Sequence, residues 1–398
     1  MATISDLSDD LVREVFSRVP LTSLNAVRST CKMWNTTSKN HILGKKVPSH
    51  QFLEFMVSDS RVCSLRFDLQ GIRNKEDLID TSIKQLSIPN NHQVEISNVY
   101  HCDGLLLCVA KHNSSLVVWN PYLGQTKCIQ PRNDEFNIYD RFALGHDNNH
   151  NHKILRFLYD GERNRRGLKR DIDVYDFSSD SWRVLEVNPD GDVPIYYSGV
   201  SLKGNTYFFA QDVTTEEEPE VMSPTDAYDL LVTDIEDYLL CFDFTTERFG
   251  KRLPLPFNPP SPTFEYLTLS WARNEKLAVL YNHYDTFETY DIWISTKIEP
   301  NAVTWSTFLT VDMSLINGLP DGFSTKLSPR SFFIDEEEKV AVLFFTYGTG
   351  TCINQMAFIV GGDGYFKSVN IGLLSNSQGT RGELVCSSYV LSLVQLQV

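Results

Sequence analysis

Two hydrophobic periodicities divide the chain near residue 45. Before that point apolar residues recur at helical spacing. Leu11, Val12, Val15 and Val19 form one stripe, with Arg13, Glu14 and Arg18 on the other face. Ser8 offers a capping hydroxyl, and Asp9 and Asp10 follow it near the positive end of the helix dipole. Pro20 ends this helix. Thr22 or Ser23 then caps a second one, which carries Leu24, Val27 and, a turn later, Cys31 and Trp34. Three short helices in about forty residues bury too little surface to fold well alone. Leu7, Leu11, Val15, Leu24, Cys31 and Trp34 must therefore dock elsewhere, on the rest of the chain or on a partner's helical surface. Periodicity does not distinguish the two.

After residue 50 the period changes to that of strands. Apolar and aromatic bursts occur at Phe52–Val57, Val62–Leu69, Leu105–Ala110, Leu116–Trp119, Ile172–Tyr175, Thr206–Ala210, Tyr238–Phe244, Leu277–Tyr281, Tyr290–Ser295, Val340–Thr346 and Met356–Val360. Turn residues separate them, among them Asn120-Pro121, Lys203-Gly204-Asn205 and Gly361-Gly362. The longest uninterrupted apolar runs, Leu105–Ala110 and Val340–Phe345, suit buried strands. A membrane span needs about 20 such residues.

A repeat runs through these bursts. Tyr175-Asp176-Phe177-Ser178-Ser179-Asp180-Ser181-Trp182 aligns without a gap on Phe242-Asp243-Phe244-Thr245-Thr246-Glu247-Arg248-Phe249. Trp119-Asn120-Pro121-Tyr122-Leu123-Gly124-Gln125-Thr126 is a weaker copy, and Trp293 with Trp305 a weaker one again. Each copy reads as a hairpin whose polar turn is braced by two aromatics. The starts at 119, 175 and 242 lie somewhat further apart than the roughly 50-residue period of kelch-type blades. Such hairpins are expected in the inner part of four-stranded blades stacked radially. About two dozen strands at four per blade predict about six blades in a kelch-like, propeller-like domain. A sandwich is the alternative, and the aromatic repeat argues against it. The strands near 52–69 and the last, Tyr389–Gln395, are expected to share a blade and close the ring.

Composition narrows the classes of function. Lys and Arg number 36 against 51 Asp and Glu, a net charge of −15. Neither nucleic acid nor an anionic membrane suits so acidic a chain. The first residues, Met1-Ala2-Thr3-Ile4-Ser5-Asp6, carry acid where a signal peptide needs base. The eight cysteines show no paired spacing and read as reduced core thiols, so the cytoplasm and/or nucleus is the expected compartment.

Two stretches resemble known families. Residues 5 to about 42, with Leu7-Ser8-Asp9-Asp10-Leu11, Arg18-Val19-Pro20, Arg28, Cys31-Lys32 and Trp34-Asn35, resemble an F-box, with Ser8 where the family usually has Pro. Gly104-Leu105-Leu106-Leu107-Cys108, Trp119-Asn120-Pro121, Tyr175 to Arg183, Gly199 to Asn205 and Phe242 to Phe249 are similar to the plant F-box-associated interaction domain, type 1, of S-locus F-box-like proteins. The domains implied are a three-helix F-box over residues 1–45 and an all-β recognition domain over 50–395. The resemblance implies a substrate-recognition subunit of an SCF-type, cullin-RING ubiquitin ligase that promotes ubiquitination and degradation of its target. It would bind a Skp-type adaptor, and through it a cullin, by Leu7, Leu11, Val12, Val15, Leu24, Val27, Cys31 and Trp34. The propeller would hold an unknown target protein. The alternative is a propeller binding module or enzyme, glycan-binding for example, with an incidental helical cap.

Other clusters have plainer readings. His146-Asp147-Asn148-Asn149-His150-Asn151-His152 places three imidazoles in an evident loop without the closed spacing of structural zinc, and is read as solvated, with no metal. The basic run Arg163, Arg165, Arg166, Lys169 and Arg170, and the acidic Asp212–Glu220, read as exposed loops. No nucleophile elbow, Walker loop or HExxH occurs, and Gly348-Thr349-Gly350 lacks the third glycine of a dinucleotide loop. A carboxylate such as Asp285 or Asp291 at a channel mouth is the remaining catalytic candidate. No catalytic residue and no cofactor is expected.

Overall fold

The computed structural model describes most of residues 51–375 and the segment 394–396. Residues 1–50, the connections 73–81, 159–171, 188–198, 212–236 and 258–266, the stretch 376–393 and several shorter pieces lie outside the described residues. The eight residues expected to bind the adaptor, and the helices predicted around them, fall in the first of these.

Among the described residues, twenty-four strands form six antiparallel sheets, each running in chain order from one edge to the other. The first holds β1 (Gln51–Ser58), β2 (Arg61–Asp68) and β3 (Ser82–Gln85). The second holds β4 (Ile96–Cys102), β5 (Leu105–Ala110), β6 (Leu116–Asn120) and β7 (Gln125–Ile129). In the third are β8 (Arg141–His146), β9 (His152–Phe157), β10 (Ile172–Asp176) and β11 (Ser181–Leu185). The fourth comprises β12 (Val200–Leu202), β13 (Asn205–Gln211), β14 (Asp237–Asp243) and β15 (Arg248–Phe249), with β16 (Leu253–Pro254) also paired to β14. The fifth runs through β17 (Leu267–Ala272), β18 (Lys276–Asn282), β19 (Thr289–Glu299) and β20 (Ala302–Asp312). The sixth runs through β21 (Ser331–Asp335), β22 (Val340–Tyr347), β23 (Cys352–Gly361) and β24 (Phe366–Ser375).

The continuous apolar runs are explained by where the core sits. Both faces of each sheet are covered, so successive residues of one strand enter two different cores. In β22, Val340, Val342 and Phe344 pack toward the first sheet, while Ala341, Leu343 and Phe345 pack toward the fifth. In β5, Leu105, Leu107 and Val109 face the third sheet, and Leu106 and Cys108 face the first. Six such clusters fill the six interfaces around the ring, including the one between the last sheet and the first. A strand covered on both sides has no polar face, so it loses the period-2 alternation. The first strands β4, β8, β12, β17 and β21 meet one another in succession and form the inner wall. The protein is a six-bladed propeller, as the strand count predicts.

The aromatic repeat occupies a different place from the one expected. The hairpins β6–β7, β10–β11 and β14–β15 form the outer half of their blades, because the first strands take the axis. Their internal chemistry is as read. Tyr175 pairs with Trp182 and Phe242 with Phe249 across the hairpin, with ring centroids 5.3 and 5.1 Å apart. The Asn or Asp at the strand end ties the turn. Asn120 Oδ1 accepts from the Tyr122 and Leu123 amides at 2.9 and 3.0 Å. Asp176 and Asp243 accept from Ser178 and Thr245 in the same way, each at 2.8 Å. Four residues after each of these, Gly124, Asp180 and Glu247 adopt left-handed φ of 69°, 53° and 54°. The repeat is thus a turn specification as much as a packing motif.

The first sheet has three described strands, and its β1–β2 turn meets the foot of β4, where the Ile96 amide donates to Ser60 O at 2.8 Å. The β4–β5 turn lies at the other end of β4. The strands β1, β2 and β3 therefore occupy the second, third and fourth positions of their blade, and no described strand takes the inner one. Of the strand expected over 389–395 to close this blade, 394–395 are described and are not strand, and 389–393 lie outside the described residues. The following segment is pinned to the second blade: Val394 O accepts from Asn120 Nδ2 at 2.8 Å, and the Leu396 amide donates to Gln125 Oε1 at 3.1 Å.

At the β17–β18 turn, Asn274 and Glu275 are both left-handed, with φ of 59° and 56°. Asn tolerates that region; Glu does so at a steric cost. The ion pair of Glu275 with Lys203, 3.6 Å and exposed on both sides, is worth little. Glu275→Gly is expected to stabilise the protein by up to about 1 kcal/mol, the relief at Cβ slightly exceeding the added chain entropy. A shift in the urea midpoint at unchanged slope is the measurement.

Candidate functional site

Strand alternation places the turn between first and second strands, and the turn between third and fourth, on the same rim of a blade. On blades two to six this rim is stitched from turn to turn. The His146 amide donates to Gly204 O at 2.9 Å and the Asn148 amide to Thr245 Oγ1 at 3.0 Å, joining blades three and four. Lys276 pairs with Glu336 at 2.7 Å between blades five and six. The close approach at blades three and four needs glycine: a Cβ on Gly145 would lie 2.2 Å from the Phe244 ring and 2.5 Å from Gly204 O. Gly145, which follows Leu144 in β8, shows no such requirement in the sequence.

The histidine loop lies on this rim, and it is only partly the solvated loop expected from its sequence. His152 belongs to β9 and is 4% exposed. Burial pushes its imidazole down to about 4, so it is neutral at physiological pH. The asparagines and Asp147 build the turn: Asp147 Oδ1 accepts from the Asn149 and Asn151 amides at 2.8 and 3.0 Å. The His146 and His150 rings are tilted by 33° with centroids 4.8 Å apart, and those of His146 and His152 lie 5.4 Å apart. Asp103, from the β4–β5 turn of the neighbouring blade, completes the group; its Oδ2 is 3.8 Å from His152 Nε2. The dipeptide Asp103-Gly104 is a turn signal that could have located this loop, but nothing in its spacing from His146 announces that the two meet.

Beside this group, Lys153 is nearly buried and reaches Glu247 Oε1 at 2.8 Å and Phe244 O at 3.2 Å, while Arg183 closes on the same Glu247 carboxylate. On the face of blade three that packs on blade two, Arg156 is clamped between two buried carboxylates. Its Nε and a terminal nitrogen contact Asp140 Oδ2 at 2.8 and 2.7 Å, and its other terminal nitrogen lies 3.7 Å from Asp173. Arg132 reaches Asp173 from outside at 3.2 Å. These contacts are a structural clamp.

The remaining sequence candidates are not drawn into this rim. Asp291 lies on β19, a third strand away from the inner wall, and is held by His283 at 2.8 Å and Thr310 at 2.6 Å. That placement does not fit the channel-mouth role considered for it. Asp285, the basic run 163–170, residues 212–220 and Thr349-Gly350 lie outside the described residues. Four of the five free cysteines described, Cys63, Cys102, Cys108 and Cys241, are buried, as core thiols should be. Among the described residues no helix is long and apolar enough to cross a membrane.

A closed six-bladed ring whose turns are tied rim to rim is a scaffold of the propeller class, built to present loops. Family models take the identification further: "F-box associated beta propeller domain" matches residues 53–396, and "F-box domain" matches residues 4–46. The chain belongs to the F-box proteins that carry an F-box-associated propeller. Among its relatives, F-box protein At3g49510 of Arabidopsis thaliana is 68% identical, covering 100% of both chains. F-box/kelch-repeat protein At3g13680 of the same plant is 50% identical, covering 100% of this chain and 98% of the relative. Of solved structures, a nidogen/laminin complex aligns over 86% of this chain and 99% of its own at 10% identity and a TM-score of 0.36. At that score the fold rests on this chain's own sheet order.

Proposed function

We propose that this chain is the substrate-recognition subunit of an SCF-type, cullin-RING ubiquitin ligase. The observation that carries the reading is the joining, in one polypeptide, of an F-box at residues 4–46 to a propeller at 53–396. The F-box segment would engage a Skp-type adaptor, and through it a cullin, by Leu7, Leu11, Val12, Val15, Leu24, Val27, Cys31 and Trp34. The propeller would hold a target protein on loops borne by a rigid scaffold. Such a subunit makes and breaks no bonds. It raises the local concentration of a target lysine beside a charged ubiquitin carrier, so that proximity performs the catalysis in trans. Its working compartment would be the cytoplasm, the nucleus or both.

Co-expression with a Skp-type adaptor tests this. The full chain is expected to co-purify with adaptor in equal amounts, and a chain lacking residues 1–45 to emerge without it while keeping the circular dichroism of a β protein. A folded, full-length chain that stays free of adaptor would overturn the reading.

A further inference from the structure

We propose that Asp103, His146 and His150 form a binding site for a divalent transition metal of the zinc class, joining the second blade to the third. One ligand atom from each of the three lies within 4.8 Å of the others. Zinc bonds of about 2.0–2.2 Å to nitrogen and carboxylate oxygen require somewhat closer ligands. Asp103 and His150 are exposed side chains on turns, so modest rotamer changes can supply the difference.

Two further features point to a ligand. His146 Nδ1 lies 2.9 Å from Asp147 O. Donation to that carbonyl sets the tautomer and leaves Nε2 with a free lone pair, the arrangement that orients metal-binding histidines. His152 stands immediately behind the three. It is 4% exposed, its Nε2 has no hydrogen-bond partner, and that atom lies 3.8 Å from Asp103 Oδ2. A buried ring nitrogen of this kind normally has a partner. A metal held by Asp103 would give it one, either directly as a fourth ligand or through a metal-bound water. Imidazole and carboxylate without thiolate suit Zn²⁺ and its neighbours, whereas Mg²⁺ and Ca²⁺ prefer an all-oxygen shell. The ion would clip the β4–β5 turn to the β8–β9 turn, and its binding energy would add to the stability of the rim.

The experiment uses the full chain, stripped with a chelator and then titrated with Zn²⁺ by calorimetry and with Co²⁺ by visible absorption. Asp103 and His150 have φ of 48° and 59°, which Asn accepts, so Asp103→Asn and His150→Asn are expected to fold. Loss of an outer-shell partner alone costs about 10–100-fold in metal affinity, so each variant should bind at least tenfold more weakly. The ligand-field bands of bound Co²⁺ should fade with it. His283→Gln alters a histidine paired to Asp291 on the fifth blade and should leave binding unchanged. Zn²⁺ should raise the melting temperature of the parent chain and not that of His150→Asn. Absence of saturable Zn²⁺ binding in the parent, or equal affinity in the parent and both Asn variants, would overturn the proposal. A third variant, His146→Gln, guards against a single anomalous substitution and is expected to behave like the other two.

Discussion

Arg156→Met should lower the stability of the propeller by about 3–5 kcal/mol, the usual cost of breaking a buried ion pair from one side. The Arg156 side chain is 3% exposed, and those of Asp140 and Asp173 are 1% and 0% exposed. Methionine fills much of the same volume, so packing is nearly conserved while two carboxylates lose their shared counter-charge. Asp173 keeps Arg132, but Asp140 loses its 2.7 and 2.8 Å contacts and retains the 2.9 Å bond from the Asn137 amide. Removing the Asp140 charge as well should recover part of the loss. Urea unfolding of Arg156→Met, Asp140→Leu and the double variant measures it, with the double variant predicted to be less destabilised than the sum of the singles. A loss below about 1 kcal/mol for Arg156→Met would mean the clamp is better solvated than its burial indicates.

The second large effect concerns the amino-terminal unit. Leu11→Asp puts a carboxylate into the apolar stripe that the sequence predicts with Val12, Val15 and Val19. If that stripe is sealed by an adaptor, the charge must be desolvated at the interface. A central apolar contact of this kind is worth at least about 2 kcal/mol, or roughly 30-fold in affinity. Trp34→Ala should weaken the same complex by removing a large anchor. Immobilised adaptor and purified variants give the affinities, and urea midpoints give the control. Affinity should collapse while the propeller's unfolding midpoint stays in place. The opposite result, a falling midpoint with adaptor affinity intact, would show the stripe docking on this chain's own surface.

The readable parts of this protein are local or periodic. Leu105–Ala110 and Val340–Phe345 are recognisable as buried strands because a double-faced core removes every polar position from them. Strands such as β11, Ser-Trp-Arg-Val-Leu, do not stand out as apolar bursts because an outer strand keeps mostly exposed side chains. First strands are hidden from that pattern as well. In β17, Leu-Thr-Leu-Ser-Trp-Ala, Thr268 and Ser270 bond to carbonyls of the sixth blade at Pro329 and Phe332, so the inner wall carries hydroxyls where a pattern search looks for aliphatic residues.

The sequence alone indicated about six blades, the polar turn within each aromatic hairpin and the change of regime near residue 45, since each is read from residues close together in the chain. Only the tertiary structure decided that those hairpins lie outermost, because which edge of a sheet faces the axis depends on its neighbours. It likewise decided that Asp103 stands against His146, His150 and His152, and that Gly145 must lack a side chain. Closing a ring sets residues from successive blades side by side, and no spacing along the chain encodes that proximity.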